Sequence, residues 1–147
     1  MTLEPPSGDH PRLLIADDDA FVRSALSLQL GRTFTIVGGA CDADEAIEQA
    51  DALRPDVMIV DIEMPAGGGL RATQVIHDRC PTTTIVALSS DESDTIVRAI
   101  LLAGAMTYVR KGIEPHELQL TLRAAMNAHT NLRAAGAAYA RDRPAAA

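Results

Sequence analysis

Five short runs of aliphatic residues alternate with five stretches of helical periodicity along the whole chain, and that alternation confines the fold to βαβ units on a parallel sheet. The runs lie near Arg12–Ala16, Phe34–Val37, Val57–Val60, Thr84–Leu88 and Met106–Val109. Most are continuous rather than alternating, as strands covered by helices on both faces must be. The second, which leads into Gly38 and Gly39, is the weakest and reads as an edge. Between the strands, Val22, Ala25, Leu26 and Leu30 form one helical stripe, and Ala43, Ala46, Ile47, Ala50 and Leu53 form another that stops at Pro55. The spacing predicts a third helix over roughly Leu70–Arg79, carrying Leu70, Thr73 and Ile76, and a fourth over Ser93–Ala103 closed by Gly104. The fifth opens with Pro115 and repeats Leu118, Leu122, Ala125, Met126 and His129, the clearest amphipathic pattern in the chain.

A chain of 147 residues has room for one ordinary domain and a tail. The domain is expected over 12–131. Residues 1–11, with Pro5, Pro6 and Pro11, read as a disordered segment, and the Ala-rich stretch 132–147 reads as an extension of the last helix or a linker. A net charge of −7 without a basic stripe argues against direct nucleic-acid binding. Cys41 and Cys80 lack metal-type spacing and read as reduced thiols of a cytoplasmic protein. No apolar run approaches the ~18 residues of a membrane span, so a soluble chain is expected.

The chemistry sits at the carboxyl ends of the strands. Asp17 and Asp18 directly follow Leu13-Leu14-Ile15-Ala16, and Asp61 directly follows Val57-Met58-Ile59-Val60. Open parallel sheets bind ligands at this edge, beside the point where connections leave in opposite directions, and a strand order 2-1-3-4-5 sets strands one and three on either side of it. Asp17 and Asp18 then meet Asp61, and their mutual repulsion raises pKa values unless a cation neutralises them. A hard divalent ion, Mg2+ or Mn2+, meets that demand with carboxylate oxygens and waters. Capping the helix near Ala20 is the competing use of this acidic run, and it falls to Asp19. Two later strand ends add a hydroxyl, Ser89, and an ammonium, Lys111. Phosphoryl transfer places charge on the phosphoryl oxygens, so it needs a metal and a fixed cation more than an acid or base. Gly67-Gly68-Gly69 lacks the spacing and lysine of a phosphate-binding loop and reads as a turn. His10, His77, His116 and His129 share no spacing and read as surface or helix-face residues.

Leu13-Leu14-Ile15-Ala16-Asp17-Asp18-Asp19, Asp61-Ile62-Glu63-Met64-Pro65 with Gly69 eight residues after the Asp, Ser89-Ser90 and Tyr108-Val109-Arg110-Lys111 together resemble the receiver domain of two-component response regulators, over about Arg12 to His129. The resemblance implies a flavodoxin-like, doubly wound α/β fold with five parallel strands in the order 2-1-3-4-5 and five helices. It implies that Asp61 accepts a phosphoryl group from a histidine kinase or phosphotransfer protein, assisted by Ser89 and Lys111. It implies Mg2+ held by Asp18, Asp61 and the backbone carbonyl of Glu63, and by Asp17 largely through water. Ser89 and Tyr108 become the switch pair, the aromatic changing rotamer on phosphorylation. Glu63 and Asp91, two residues beyond Asp61 and Ser89, are acidic neighbours expected to tune the phosphoryl lifetime. The family's lysine is commonly followed by a cis proline, whereas Gly112 follows Lys111 here. A cis bond without proline costs about 2.5–4 kcal/mol, so this loop is either strained or trans.

The leading reading is a phosphorylation-controlled switch rather than an enzyme. One rival is a phosphatase with Asp61 as nucleophile, which needs a second Asp two residues on, where Glu63 stands. The other is a pseudo-receiver acting as a constitutive interaction module. The output face is expected on the fourth helix, fifth strand and fifth helix, as a homodimer or partner surface. Ile96, Val97, Ile100, Leu101 and Leu102 make an apolar band wider than one sheet contact requires.

Overall fold

The computed structural model describes residues 10–142. Residues 1–9 and 143–147, where most of the expected N-terminal disordered segment and the end of the Ala-rich tail fall, lie outside the described residues. The strands are β1 (Arg12–Ala16), β2 (Thr35–Ala40), β3 (Val57–Asp61), β4 (Thr84–Ser89) and β5 (Thr107–Arg110). All pair in parallel, in the order β2-β1-β3-β4-β5. The helices are α1 (Ala20–Leu30), α2 (Ala43–Leu53), α3 (Gly68–Arg79), α4 (Asp94–Ala103) and α5 (Pro115–Asp142).

The pleat sorts each strand's residues into two layers. Leu14, Ala16, Met58, Val60, Ile85 and Ala87 pack with residues of α2, α3 and α4. Leu13, Ile15, Val57, Ile59, Val86 and Leu88 pack with residues of α1 and α5. With β1 and β3 adjacent and α1 and α3 leaving to opposite faces, the switch point lies at the carboxyl ends of these two strands.

Several boundaries differ from the sequence reading. β2 starts at Thr35 and runs through Ala40, with the register slipping between Leu13 and Leu14 so that Val37 has no opposite residue. Phe34 leaves the strand and is buried, its ring 5.2 Å from the Arg123 guanidinium. α3 begins two residues early, at Gly68, and α5 runs as one helix from Pro115 through Asp142. The Lys111–Gly112 peptide is trans, as are all others among the described residues, and Gly112 takes φ +88, a conformation that L side chains rarely adopt.

Gly69 fixes how closely α3 approaches the end of β3. A Cβ there would lie 2.3 Å from the Asp61 carbonyl oxygen and 2.6 Å from the Ile62 Cα, both backbone atoms that cannot rotate away. Gly69→Ala is therefore expected to destabilise the fold by about 1–3 kcal/mol, the usual cost of overpacking. Urea unfolding with an unchanged midpoint would show that the loop yields freely.

Candidate functional site

The end of β1 and the end of β3 bury two carboxyl groups side by side. Asp61 is fully buried, Asp17 is 1% exposed and Asp18 points to solvent. The main-chain amide of Asp17 donates to the Ala40 carbonyl at 2.9 Å, which pins β1 to β2 just before the site. Asp17 Oδ1 accepts the Asp19 amide at 2.9 Å, and Asp61 Oδ1 accepts the Glu63 amide at 3.0 Å. The second oxygen of each, Asp17 Oδ2 and Asp61 Oδ2, is buried without a hydrogen-bond partner. One carboxylate oxygen from each of Asp17, Asp18 and Asp61 lies within 4.8 Å of the other two. Asp19 takes the capping duty, its side chain accepting from the Phe21 and Val22 amides.

Burial pushes the Asp17 carboxyl up to about 6, with the negative Asp61 and Asp18 adding to the rise, and burial pushes Asp61 up as well. Two buried oxygens that lack a proton donor, in a cluster of three carboxylates, form a donor set suited to a hard divalent cation.

Lys111, just past β5, sends Nζ to 3.0 Å from Asp61 Oδ1 and 3.0 Å from Glu63 Oε2. Burial alone would pull this ammonium down, but the hydrogen bonds it donates to Asp61 and Glu63 outweigh it and hold Lys111 above its ordinary value. Glu63 in turn accepts from the Ser90 hydroxyl, and that bond together with Lys111 holds its carboxyl below the usual range. Glu63 thus spans the mouth of the pocket from Lys111 to Ser90. The strand-end pattern located Glu63 but not this bridge, and Ser90 went unassigned. The proximity of β3 and β5 across β4 is what brings the three together.

Ser89, fully buried at the end of β4, donates its hydroxyl to the Asp91 carbonyl at 2.8 Å and accepts the Asp91 amide at 3.1 Å. It is free of capping because Ser93 caps α4, accepting from the Ile96 amide. Asp91 is exposed, and the Ser93 amide holds its carboxyl low. Tyr108 on β5 is half-buried against the α4 side of the core. Of the α4 band, only Ile100 is fully buried, while Leu101 and Leu102 are 47% and 81% exposed. Cys41 and Cys80 are both free. No helix among the described residues is long and apolar enough to cross a membrane.

Residues 13–123 match the family model described as the response regulator receiver domain. The chain belongs to the response regulator receiver family. A protein-glutamate methylesterase/protein-glutamine glutaminase of Methanosarcina acetivorans is 37% identical over 111 residues, 73% of this chain and 32% of that protein. Response regulator GacA of Pseudomonas viridiflava is 33% identical over 114 residues, 76% of this chain and 53% of that protein. The chain thus spans between about a third and a half of these curated relatives. The solved response regulator domain of Thermotoga maritima CheB superposes with a TM-score of 0.74 at 33% identity, covering 80% of this chain and 97% of that one. The receiver fold, its strand order and its acidic pocket at the sheet's carboxyl edge therefore stand together in one molecule.

In metal-free buffer the receiver should become more stable as pH falls from 7 to 5. Asp17 in the folded state takes up a proton near pH 6, whereas the unfolded chain waits until about its ordinary 3.8, so the folded state binds more protons across this window. The gain reaches at most about 3 kcal/mol once both states are protonated. His129, held low by burial, contributes with the opposite sign. The informative measurement is therefore the melting-temperature difference between wild type and Asp17→Asn, which should narrow on acidification if the carboxyl drives it.

Proposed function

We propose that this receiver domain accepts a phosphoryl group on Asp61 from the phosphohistidine of a histidine kinase or phosphotransfer protein, and relays that event to a partner or output domain. The observation that carries the reading is Asp61 itself, fully buried at a strand end, with one oxygen held by Lys111 and the Glu63 amide and the other left unpaired. An oxygen of the Asp61 carboxylate attacks phosphorus, a P–O bond forms, and the P–N bond to the donor imidazole breaks. Lys111 holds a positive charge where the phosphoryl oxygens arrive. Asp17, Asp18, Asp61 and the Glu63 carbonyl would hold Mg2+, which supplies the remaining positive charge when bound. Asp61→Asn should abolish Mg2+-dependent labelling by acetyl phosphate and leave the fold intact. Full labelling of that variant would overturn the assignment. Continuous phosphate release by the wild type would favour the hydrolase instead, and no reaction at all would favour the pseudo-receiver.

Deep burial of Asp17 and exposure of Asp18 give the two acids different duties. Asp18, exposed at the strand end, would hold Mg2+ directly, and Asp17 would hold it largely through water. Asp18→Ala should weaken Mg2+ binding more than Asp17→Ala, as read by the Mg2+-induced rise in melting temperature. Equal losses would remove the distinction.

Glu63 must release Lys111 before phosphoryl oxygens can take its place. The Glu63 side chain is 45% exposed, so its hold is that of a surface ion pair, about 0.2–1 kcal/mol. Glu63→Gln should accordingly speed acetyl-phosphate labelling by up to about fivefold and no more. A slower variant would show that Glu63 helps the reaction. Asp91, one turn of loop away, tunes lifetime through the Ser89 hydroxyl that its backbone holds.

Once the phosphoryl group is present, Ser89 turns from Asp91 towards it, and the half-buried Tyr108 moves inward to repack the loop before α4. The exposed Leu101 and Leu102 support an output face on α4, β5 and α5, as a homodimer or partner surface. Amide exchange with and without BeF3− should change from Ser89 to Leu122. Change confined to the surroundings of Asp61 would exclude this route.

A further inference from the structure

The final helix carries its sheet-facing stripe well past the sheet. Leu118, Leu122 and Ala125 are buried against β-strand residues, and His129 Nδ1 makes the last side-chain hydrogen bond to the sheet, 2.8 Å from Thr84 Oγ1. From Thr130 to Asp142 the helix runs on for about 20 Å with every residue but Ala138 exposed. At 3.6 residues per turn, Leu132, Gly136 and Tyr139 fall within about 60° of the direction Leu118 takes into the core. Leu132 is 62% and Tyr139 72% exposed, although they continue an apolar face. A solitary helical stem of this length, with a glycine at its middle, is only marginally stable alone.

We propose that this stem is a docking surface for a second copy of the chain, two stems crossing antiparallel at Gly136 with Leu132 of each packed on Tyr139 of the other. Upstream, the same helix face lies on the chain's own sheet, so a parallel second copy would have to occupy the sheet's volume. An antiparallel copy places its globular part past Asp142, away from this chain's sheet. The sequence around Gly136 suits a two-fold contact, which requires a patch complementary to itself. Ala134-Ala135-Gly136-Ala137-Ala138 reads the same in both directions, with Leu132 four residues before the centre and Tyr139 three after it. A side chain at Gly136 would meet nothing within 4 Å in one chain, so the glycine answers no demand of the lone domain, whereas it permits close approach of two helix backbones. Charge agrees as well. The stem carries Arg133, Arg141 and Asp142, net +1, on a chain of net −7, so it is a surface where two acidic copies repel least. Two large anchors per stem bury less than the ~1,200 Å² of a standard interface, so the association is weak and concentration-dependent, about 10 µM or weaker.

Sedimentation of the unphosphorylated chain, free of Mg2+, should show mass rising from 15.6 kDa towards twice that between about 5 and 500 µM. Leu132→Glu/Tyr139→Glu should hold the monomer mass throughout with an unchanged melting temperature, since both residues stand clear of the core. In a Cys41→Ser background, Gly136→Cys should give a disulfide-linked dimer under mild oxidation. Leu132→Cys should not, because its two copies would sit about 12 Å apart, beyond disulfide reach. A wild type that stays monomeric to the highest concentration, a double variant that still dimerises, or equal cross-linking at both positions would each overturn the proposal.

Discussion

Asp61 lies fully buried on β3 with one ammonium 3.0 Å away, and Asp17 lies almost equally deep beside it, its carboxyl without an ion pair. Each carries an oxygen that no protein donor satisfies. Burying a carboxylate without its full complement of hydrogen bonds is costly, and here the cost falls twice within one pocket. The surrounding features answer to that expense. The Asp19 and Glu63 amides each supply one donor, and Lys111 is held charged. Glu63 shares that ammonium with Asp61, each at 3.0 Å. The pocket is thereby left short of positive charge, which a divalent cation would supply.

The α4 side of the molecule follows from the same shortage. Ser89 is buried one strand away from Asp61, yet its hydroxyl is turned to its own loop, both donating to and accepting from Asp91. A hydroxyl committed to a local turn is cheap to redirect, because the exposed Asp91 backbone can be rehydrated when it leaves. On the neighbouring β5, Tyr108 pairs with Ala87, two residues before Ser89, and is only half-buried. A half-buried aromatic beside a helix that buries only Ile100 is an incompletely packed layer, and such a layer can take a second arrangement without breaking the core.

The sequence disclosed the fold nearly to the residue where strands were aliphatic and helices periodic, because burial on two faces leaves few alternatives. Thr84–Ser89 and Ala43–Leu53 are cases of this kind. It failed where a tertiary contact overrode the local pattern. Phe34 looks like a strand residue by type, but its ring is drawn under Arg123, 89 residues away in the chain. Site positions were legible because strand ends are visible as the end of an apolar run. What was not legible was depth and pairing. Asp17 and Asp18 are adjacent in sequence and opposite in exposure, a difference set by the pleat and by the Ala40 carbonyl on a neighbouring strand. The Glu63–Lys111–Ser90 bridge joins three different strand ends, and no local window contains it.

Helix α5 joins the two ends of the molecule. It begins four residues after Lys111, at the carboxyl edge of the sheet, and it passes Thr84, the first residue of β4, on its way out at the amino edge. The stem therefore emerges at the opposite end from Asp61. A phosphodonor approaching the acidic pocket and a second copy seated on Leu132 and Tyr139 would occupy different surfaces, and neither would have to leave for the other to bind. The α4–β5–α5 face lies between them along the flank. Its residues on α5, Glu117 and Thr121, line the same pocket as Tyr108 and lie upstream of the stem along the helix. One rigid helix can in this way serve an output face beside the sheet and a stalk beyond it, because at about 1.5 Å per residue the two are separated along a single axis.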